Sequence, residues 1–138
     1  MKKINAFVLF GLVLVSFSAC KERVEINEVN TMLLGKWNWV SSVNAFVGAT
    51  QTPQSTGKVR VLEFLPGLLC REYENGKLLS EKSYQVKKNV DIDTERYAFV
   101  MSFDNSVSWT NFSIENSHKL VFNDSYLDGD LTTYERIK

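Results

Sequence analysis

Residues 58–86 read KVRVLEFLPGLLCREYENGKLLSEKSYQV. Runs that alternate apolar and polar residues are separated here by turn-forming residues, which is typical of β-strands. Asn75-Gly76 is the strongest local signal, because Asn and Gly both tolerate a positive φ and favour a two-residue type I′ hairpin. Leu62 and Phe64 share one face of the first run. The segment therefore predicts three consecutive strands: Lys58–Leu65, Leu68–Glu74 and Lys77–Val86.

The same pattern continues on both sides of this segment. Five further strands are predicted at Leu34–Val43, Arg96–Phe103, Trp109–Glu115, Lys119–Asn123 and Leu131–Ile137. Eight consecutive strands with short turns and no crossover helices imply antiparallel pairing, and such a sheet can remove its edges by closing. We expect an all-β fold, an eight-stranded antiparallel up-and-down β-barrel, with a two-sheet β-sandwich as the alternative.

The inward faces of these strands determine how full the barrel is. We expect a mainly aromatic and aliphatic set to point inward: Trp37, Trp39, Leu62, Phe64, Tyr84 and Val86. Ser41, Ser80 and Ser113 also lie within strands, where each needs a hydrogen-bond partner or water. An eight-stranded barrel has room for packed side chains or for one small molecule. We therefore expect a partly filled interior.

The N-terminus has the three regions of an export signal. Two lysines precede an apolar run over Ile4–Val15, which is too short to span a bilayer, and residues 17–20 read FSAC. The segment resembles the lipobox of bacterial lipoproteins, although Phe17 stands where leucine is usual. The resemblance implies cleavage before Cys20 and acylation of that cysteine, by palmitate among other fatty acids. A soluble secreted protein with a chance cysteine is the alternative.

Three regions follow from this interpretation: a signal peptide (1–19), a lipid anchor and tether (20–33), and the barrel domain (34–138). The mature chain would have 119 residues, enough for one domain. Its location would be the cell envelope, at the outer membrane, attached through the N-terminal lipid. Residues 21–30, KERVEINEVN, are polar and suit a mobile spacer. Lys21-Glu22-Arg23 also resembles the charged signal that directs lipoproteins of the Bacteroidetes to the cell surface.

Charge and composition limit the partners and the chemistry. Without Lys2 and Lys3, 14 basic residues face 16 acidic ones, so no basic excess points to nucleic acid. His118 is the only histidine and lies in a predicted turn, and Cys70 is the only cysteine besides Cys20. Neither a zinc site, nor a nucleophile triad, nor a phosphate loop is indicated. We expect no enzyme activity, no cofactor and no metal.

Two acidic stretches allow another interpretation. Asn89, Asp91, Asp93 and Glu95 alternate and could offer oxygen ligands to calcium, although no calcium-loop glycine is present. A solvated acidic strand face is the preferred alternative. Aspartates in the last loop, Asp124, Asp128 and Asp130, are explained by turn propensity.

Gly35-Lys36-Trp37 at the start of the first strand resembles the Gly-x-Trp signature of lipocalins and the wider calycin group. The remaining chain is similar to small lipocalin-like lipoproteins of the Bacteroidetes, in the positions Phe64, Gly67, Asn75-Gly76, Tyr84-Gln85-Val86 and Tyr134-Glu135-Arg136. The resemblance implies a barrel in which Arg136 packs on Trp37 at the closed end, as a guanidinium stacks on an indole face. The Thr-Asp-Tyr motif of larger lipocalins is absent.

The connection over Asn44–Gly57 is the longest one predicted to lack regular structure. It would sit at the open mouth of the barrel, with Phe46 either forming a lid over the interior or packing on the rim. The expected ligand-binding residues are Trp39, Phe46, Val47, Phe64 and Tyr84. Two functions remain open: binding of a small hydrophobic ligand inside the barrel, and a structural or interaction role of the outer surface, with no protein partner identified.

Overall fold

The computed structural model describes residues 25–89, 99–124 and 129–138; the predicted signal peptide and Cys20 lie outside this part of the chain. Two helices are described, α1 over residues 25–33 and α2 at Pro53–Thr56. The strands are β1 (Gly35–Asn44), β2 (Thr50–Gln51), β3 (Arg60–Leu65), β4 (Leu69–Glu74), β5 (Lys77–Lys88), β6 (Phe99–Phe103), β7 (Thr110–Glu115), β8 (Lys119–Asn123) and β9 (Asp130–Arg136).

The strands form one closed antiparallel barrel. From β3 to β9 each strand pairs with its sequence neighbour, and β3 pairs with β1. Pairing of β1 with β9, from Trp37↔Arg136 to Asn44↔Asp130, closes the sheet. The predicted eight-stranded barrel is confirmed and the sandwich alternative is wrong. The short strand β2 is an addition that pairs only with the end of β1, at Ser42↔Gln51 and Val43↔Thr50.

The Asn75-Gly76 hairpin forms as predicted. Asn75 has φ 49° and Gly76 has φ 79°, and the flanking residues Glu74 and Lys77 are paired. Positive φ at both turn positions matches the twist of the two strands that the turn joins.

The two ends of the barrel differ. At one end, α1 packs under the strands and the Trp37 indole Nε1 donates a 2.7 Å hydrogen bond to the Leu33 carbonyl. We call this the closed end; it also carries the turns at residues 66–68 and 116–118. The opposite end, the mouth, carries the loop after β1, the Asn75-Gly76 turn and the connection from β6 to β7.

The segment assigned to the tether is partly folded. Residues 25–33 are helical, Leu33 is fully buried, and Ile26 and Val29 pack against the core. Ile26, Val29 and Leu33 have the i, i+3, i+7 spacing of an apolar helix face, so the prediction of a mobile spacer is wrong for residues 25–30. The folded domain includes residue 25 rather than beginning at residue 34.

The interior of the closed half is a dense apolar core. All six side chains expected to point inward are buried, with Trp37, Trp39, Phe64 and Tyr84 each at most 2% exposed. Met101, Phe112 and Leu120 complete the set from the later strands. Cys70 is buried in this core, as its apolar surroundings in the sequence predicted. Within the described residues, no helix has the length and apolar composition needed to cross a membrane.

The long loop after β1 has more structure than expected. It contains β2 and the one-turn helix α2, whose N-cap Thr52 accepts a hydrogen bond from the Ser55 backbone N–H while the Ser55 hydroxyl accepts one from the Thr52 N–H. Pro53 occupies the first turn and Gly57 closes it with φ 68°. This reciprocal cap and the N-terminal proline are local signals that the unstructured interpretation overlooked.

Candidate functional site

The barrel interior contains a cavity of about 230 Å³ in the half that faces the mouth. Its lining comes from seven strands or their ends, β3 to β9, so the cavity exists only when the barrel is closed. Its apolar side chains are Leu62, Phe103 and Phe122, next to the Cys70 thiol. The Phe122 ring meets the Tyr134 ring edge-on, with 6.0 Å between centroids. These groups form an apolar floor above the core.

Three charged side chains line the cavity, Glu72, Lys82 and Asp124. Glu72 is half-buried, whereas Lys82 and Asp124 are exposed. Cys70 pairs with Lys82, and Glu72 pairs with Ser80 on the same two strands. Glu72 and Lys82 are therefore diagonal neighbours, whose Cβ atoms are typically about 7–8 Å apart. Within the described residues, neither of these two groups has a hydrogen bond or an ion pair.

Hydroxyl groups complete the polar lining. Ser80, Thr110 and Tyr134 lie against the cavity, and none of their hydroxyls has a hydrogen-bond partner among the described residues. Burial raises the pKa of the Tyr134 hydroxyl above its ordinary value, and the nearby Glu72 carboxylate raises it further. Tyr134 therefore stays a neutral hydroxyl that can donate or accept a hydrogen bond.

Glu72 and Lys82 also act on the Cys70 thiol. Burial raises its pKa to about 12; Glu72 adds to the rise and Lys82 opposes it. The thiol is therefore protonated at neutral pH and is a poor nucleophile, because the thiolate is the reactive form. Nothing in this environment suits Cys70 for covalent chemistry.

The Arg60 guanidinium, in contrast to the Glu72 and Lys82 side chains, contacts other described side chains. It lies over the Trp39 ring, 5.2 Å from the centroid, and its Nε is 3.2 Å from Glu74 Oε2. The hydrogen bond from Arg60 is the main cause of the lowered pKa of Glu74. Glu74 thus pairs with Arg60 and, at 3.4 Å, with Lys58 near the mouth, whereas Glu72 and Lys82 form no ion pair with another described residue.

A β-bulge shapes the wall on β1. The register with β9 shifts between Trp39 and Ser41, so that Ser42 takes the place expected for Ser41. Trp39 Nε1 donates to the Ser42 hydroxyl at 3.0 Å, and that hydroxyl is 3.0 Å from the Thr132 hydroxyl on the cavity wall. The inward-facing hydroxyl predicted at Ser41 is therefore corrected to Ser42, because the bulge reverses the alternation.

The cavity also meets a gap in the side of the barrel. Only residues Tyr84–Lys88 of β5 pair with β6, while residues 77–82 pair with β4 alone among the described residues. Ser80 and Lys82 line the cavity from one side of this gap, and Phe103 and Thr110 line it from the other. A small molecule could enter here or through the mouth.

The five residues expected to bind a ligand do not line this cavity. Trp39, Phe64 and Tyr84 are buried in its surroundings, whereas Phe46 and Val47 are 76% and 68% exposed in a turn at the mouth. Phe46 is therefore a rim residue and not a lid in this structure.

Sequence reasoning missed Glu72 and Lys82, although a signal was present. Glu72 lies two residues after the inward-facing Cys70, and Lys82 lies two residues before the inward-facing Tyr84. The period of two in a strand places such residues on the same face.

The described residues offer little other chemistry. They contain no group of three or more His, Cys, Asp or Glu side chains that could hold a metal ion. His118 is exposed in its turn, as predicted, with Nδ1 2.6 Å from the Asn116 carbonyl. Asp91, Asp93, Glu95 and Asp128 lie outside the described residues, and Asn89 donates a 2.9 Å hydrogen bond to Asn111.

Comparisons with known proteins do not identify a relative. No family model, no curated protein and no solved structure matches the chain.

Proposed function

We propose that this chain is an exported, lipid-anchored protein whose barrel binds one small molecule in the cavity. The observation that carries the proposal is the cavity itself, in which an apolar floor meets charged and hydroxyl groups without partners among the described residues. Ligand sites commonly combine an apolar surface with a few polar groups that orient the ligand. A barrel that only needed a stable core would be expected to fill this space with carbon.

The position of Glu25 on the barrel supports the lipid-anchor part of this proposal. Glu25 forms a 2.8 Å ion pair with Lys88, near the closed end of the barrel. Fully extended, the five residues from Cys20 to Val24 span at most about 17 Å. A strand as long as β1, which runs from the closed end to the mouth, spans about 33 Å. An anchor at Cys20 would therefore hold the closed end towards the membrane and the mouth away from it.

Small-fragment binding followed by NMR tests the proposal on the folded domain. Compounds of about ten non-hydrogen atoms should bind saturably and shift the amide signals of residues around Leu62, Cys70 and Tyr134. Thr110→Phe should fill the cavity and abolish binding. Val107→Phe is the matched control, because Val107 is 94% exposed in the connection before β7. A folded domain that binds no fragment would contradict the proposal.

An interaction role of the outer surface is the second candidate. Its supporting observation is a set of exposed apolar side chains near the mouth, Phe46, Val47, Val59, Leu78, Leu79 and Val107. If a protein partner covers them, a photo-crosslinking residue at position 46 should give a defined adduct in cells. The same residue at position 36, on the closed end, should not.

A further inference from the structure

The pairing of β4 with β5 places one negative and one positive side chain next to each other on the wall of the cavity, Glu72 half-buried and Lys82 exposed. Glu72 and Lys82 are inward-facing diagonal neighbours, and neither is paired with another described residue. Charges at a cavity wall that lack a protein partner are held by water when the cavity is empty. A ligand that displaces this water must replace its hydrogen bonds, or affinity is lost.

The size of the cavity restricts the ligand. A volume of about 230 Å³ corresponds to about eight water molecules at the density of the liquid. A molecule of about eight to ten non-hydrogen atoms fits such a space, whereas a long-chain fatty acid has about twice as many. The hydrophobic ligand expected from the sequence would also make no use of the half-buried Glu72 carboxylate or of the exposed Lys82 ammonium on the wall.

We propose that the cavity binds a small zwitterion, whose ammonium group contacts Glu72, whose carboxylate contacts Lys82, and whose apolar part lies on Leu62, Phe103 and Phe122. The inference rests on the proposed binding function and specifies its ligand class. Charge-assisted hydrogen bonds at both ends fix the orientation of the ligand. The hydroxyls of Ser80, Thr110 and Tyr134 lie on the same wall and can accept or donate further bonds.

Calorimetric titration of the folded domain with matched probes tests this inference. L-leucine and 5-aminopentanoate are the two zwitterions. The charges are close together in L-leucine and far apart in 5-aminopentanoate. 4-Methylpentanoate carries only the negative charge, L-leucine methyl ester only the positive charge, and 3-methylbutanol neither. One zwitterion at least should bind about tenfold more tightly than any of the other three probes.

Single substitutions assign the two charges. Glu72→Gln should weaken zwitterion binding about tenfold without weakening binding of 4-methylpentanoate. Lys82→Gln should weaken zwitterion binding by the same factor without weakening binding of L-leucine methyl ester. Glu81→Gln is the control, since Glu81 lies between these positions on the exposed face and pairs with Arg71. It should leave every affinity unchanged.

The outcomes separate this inference from the proposed function. If 3-methylbutanol binds as tightly as the zwitterions and Thr110→Phe blocks it, the cavity is a binding site and the zwitterion inference is wrong. If neither the probes nor the fragments bind the folded domain, both are wrong. An equal loss in Glu72→Gln and Glu81→Gln would also overturn the inference, because it would place the effect outside the cavity.

Discussion

The guanidinium carbon of Arg136 lies 4.1 Å from the centre of the Trp37 indole ring. Arg136 also donates hydrogen bonds to three backbone carbonyls, at 2.7 Å to Leu34, at 2.8 Å to Ser117, and to Met32. One side chain therefore connects the end of α1, the turn after β7 and the first strand. The stacking of Arg136 on Trp37 expected at the closed end is present.

This contact also explains the glycine at position 35. Gly35 has φ 112°, and a Cβ atom added there would lie 3.2 Å from Arg136 Nη1. A side chain would therefore be strained by the backbone and crowded by the guanidinium. Gly35, Trp37 and Arg136 form one structural unit at the closed end.

We predict that Arg136→Lys destabilises the domain by about 1–3 kcal/mol. A lysine can reproduce neither the planar fork that reaches three carbonyls nor the stacking on Trp37, so the partly buried Leu34 carbonyl and two exposed carbonyls compete for fewer donors. Urea unfolding measures the change. Arg71→Lys is the control, because Arg71 makes an exposed ion pair with Glu81; equal losses in the two variants would contradict the prediction.

Trp37→Ala should cost about 3–5 kcal/mol of folding free energy, since it removes a fully buried indole from the core. The hydrogen bond from the indole to the Leu33 carbonyl is lost as well. Thermal and urea unfolding measure the loss. Trp109→Ala provides the comparison and should cost less, because Trp109 is only partly buried. An unchanged melting temperature in Trp37→Ala would show that this residue does not hold the closed end.

Gly76→Val should lower the stability of the domain by about 1–2 kcal/mol, because a β-branched residue resists the positive φ of this turn. The neighbouring Lys77→Val change keeps an ordinary strand conformation and serves as the control. The urea unfolding midpoints of the two variants measure the change in stability. Equal unfolding midpoints in the Gly76→Val and Lys77→Val variants would contradict a type I′ turn at Asn75-Gly76.

Stability should decrease at alkaline pH. Burial raises the pKa values of Cys70 and Tyr84 to about 12 each and also raises that of Tyr134. The folded state thus holds these protons more tightly than the unfolded state does. The stabilisation is complete below about pH 8, where the unfolded cysteine begins to ionise, and is lost as pH rises towards 12. Melting temperatures across this range test the prediction, and Cys70→Val should show a shallower decline.

Cys20→Ala should abolish incorporation of labelled fatty acid and release the protein from the membrane fraction without detergent. The prediction follows from the lipobox-like FSAC sequence at residues 17–20. Metabolic labelling with an alkyne fatty acid measures it. Cys70→Ala is the matched control and should retain the label; a labelled Cys20→Ala protein would rule out acylation at this residue.

Local chemistry was sufficient to predict most of the secondary structure. The eight barrel strands and the Asn75-Gly76 hairpin follow from period-two alternation and from the φ values that particular residues tolerate. Two elements with local sequence signals were not predicted. They are the helix that presents Ile26, Val29 and Leu33 to the core, and the capped turn from Thr52 to Gly57. Both segments carried readable signals within a few residues.

The cavity could not be predicted in this way, because its lining comes from strands that meet only in the folded barrel. Closure depends on the pairing of Trp37 with Arg136, far apart in the chain. The bulge before Ser41 then decides that Ser42 faces Thr132. Alternation predicted which apolar side chains point inward, but not the change of face that the bulge causes on β1. The tertiary structure decided how much space they leave and that Glu72 and Lys82 face it together, because interior volume is set by side chains of many strands packing at once.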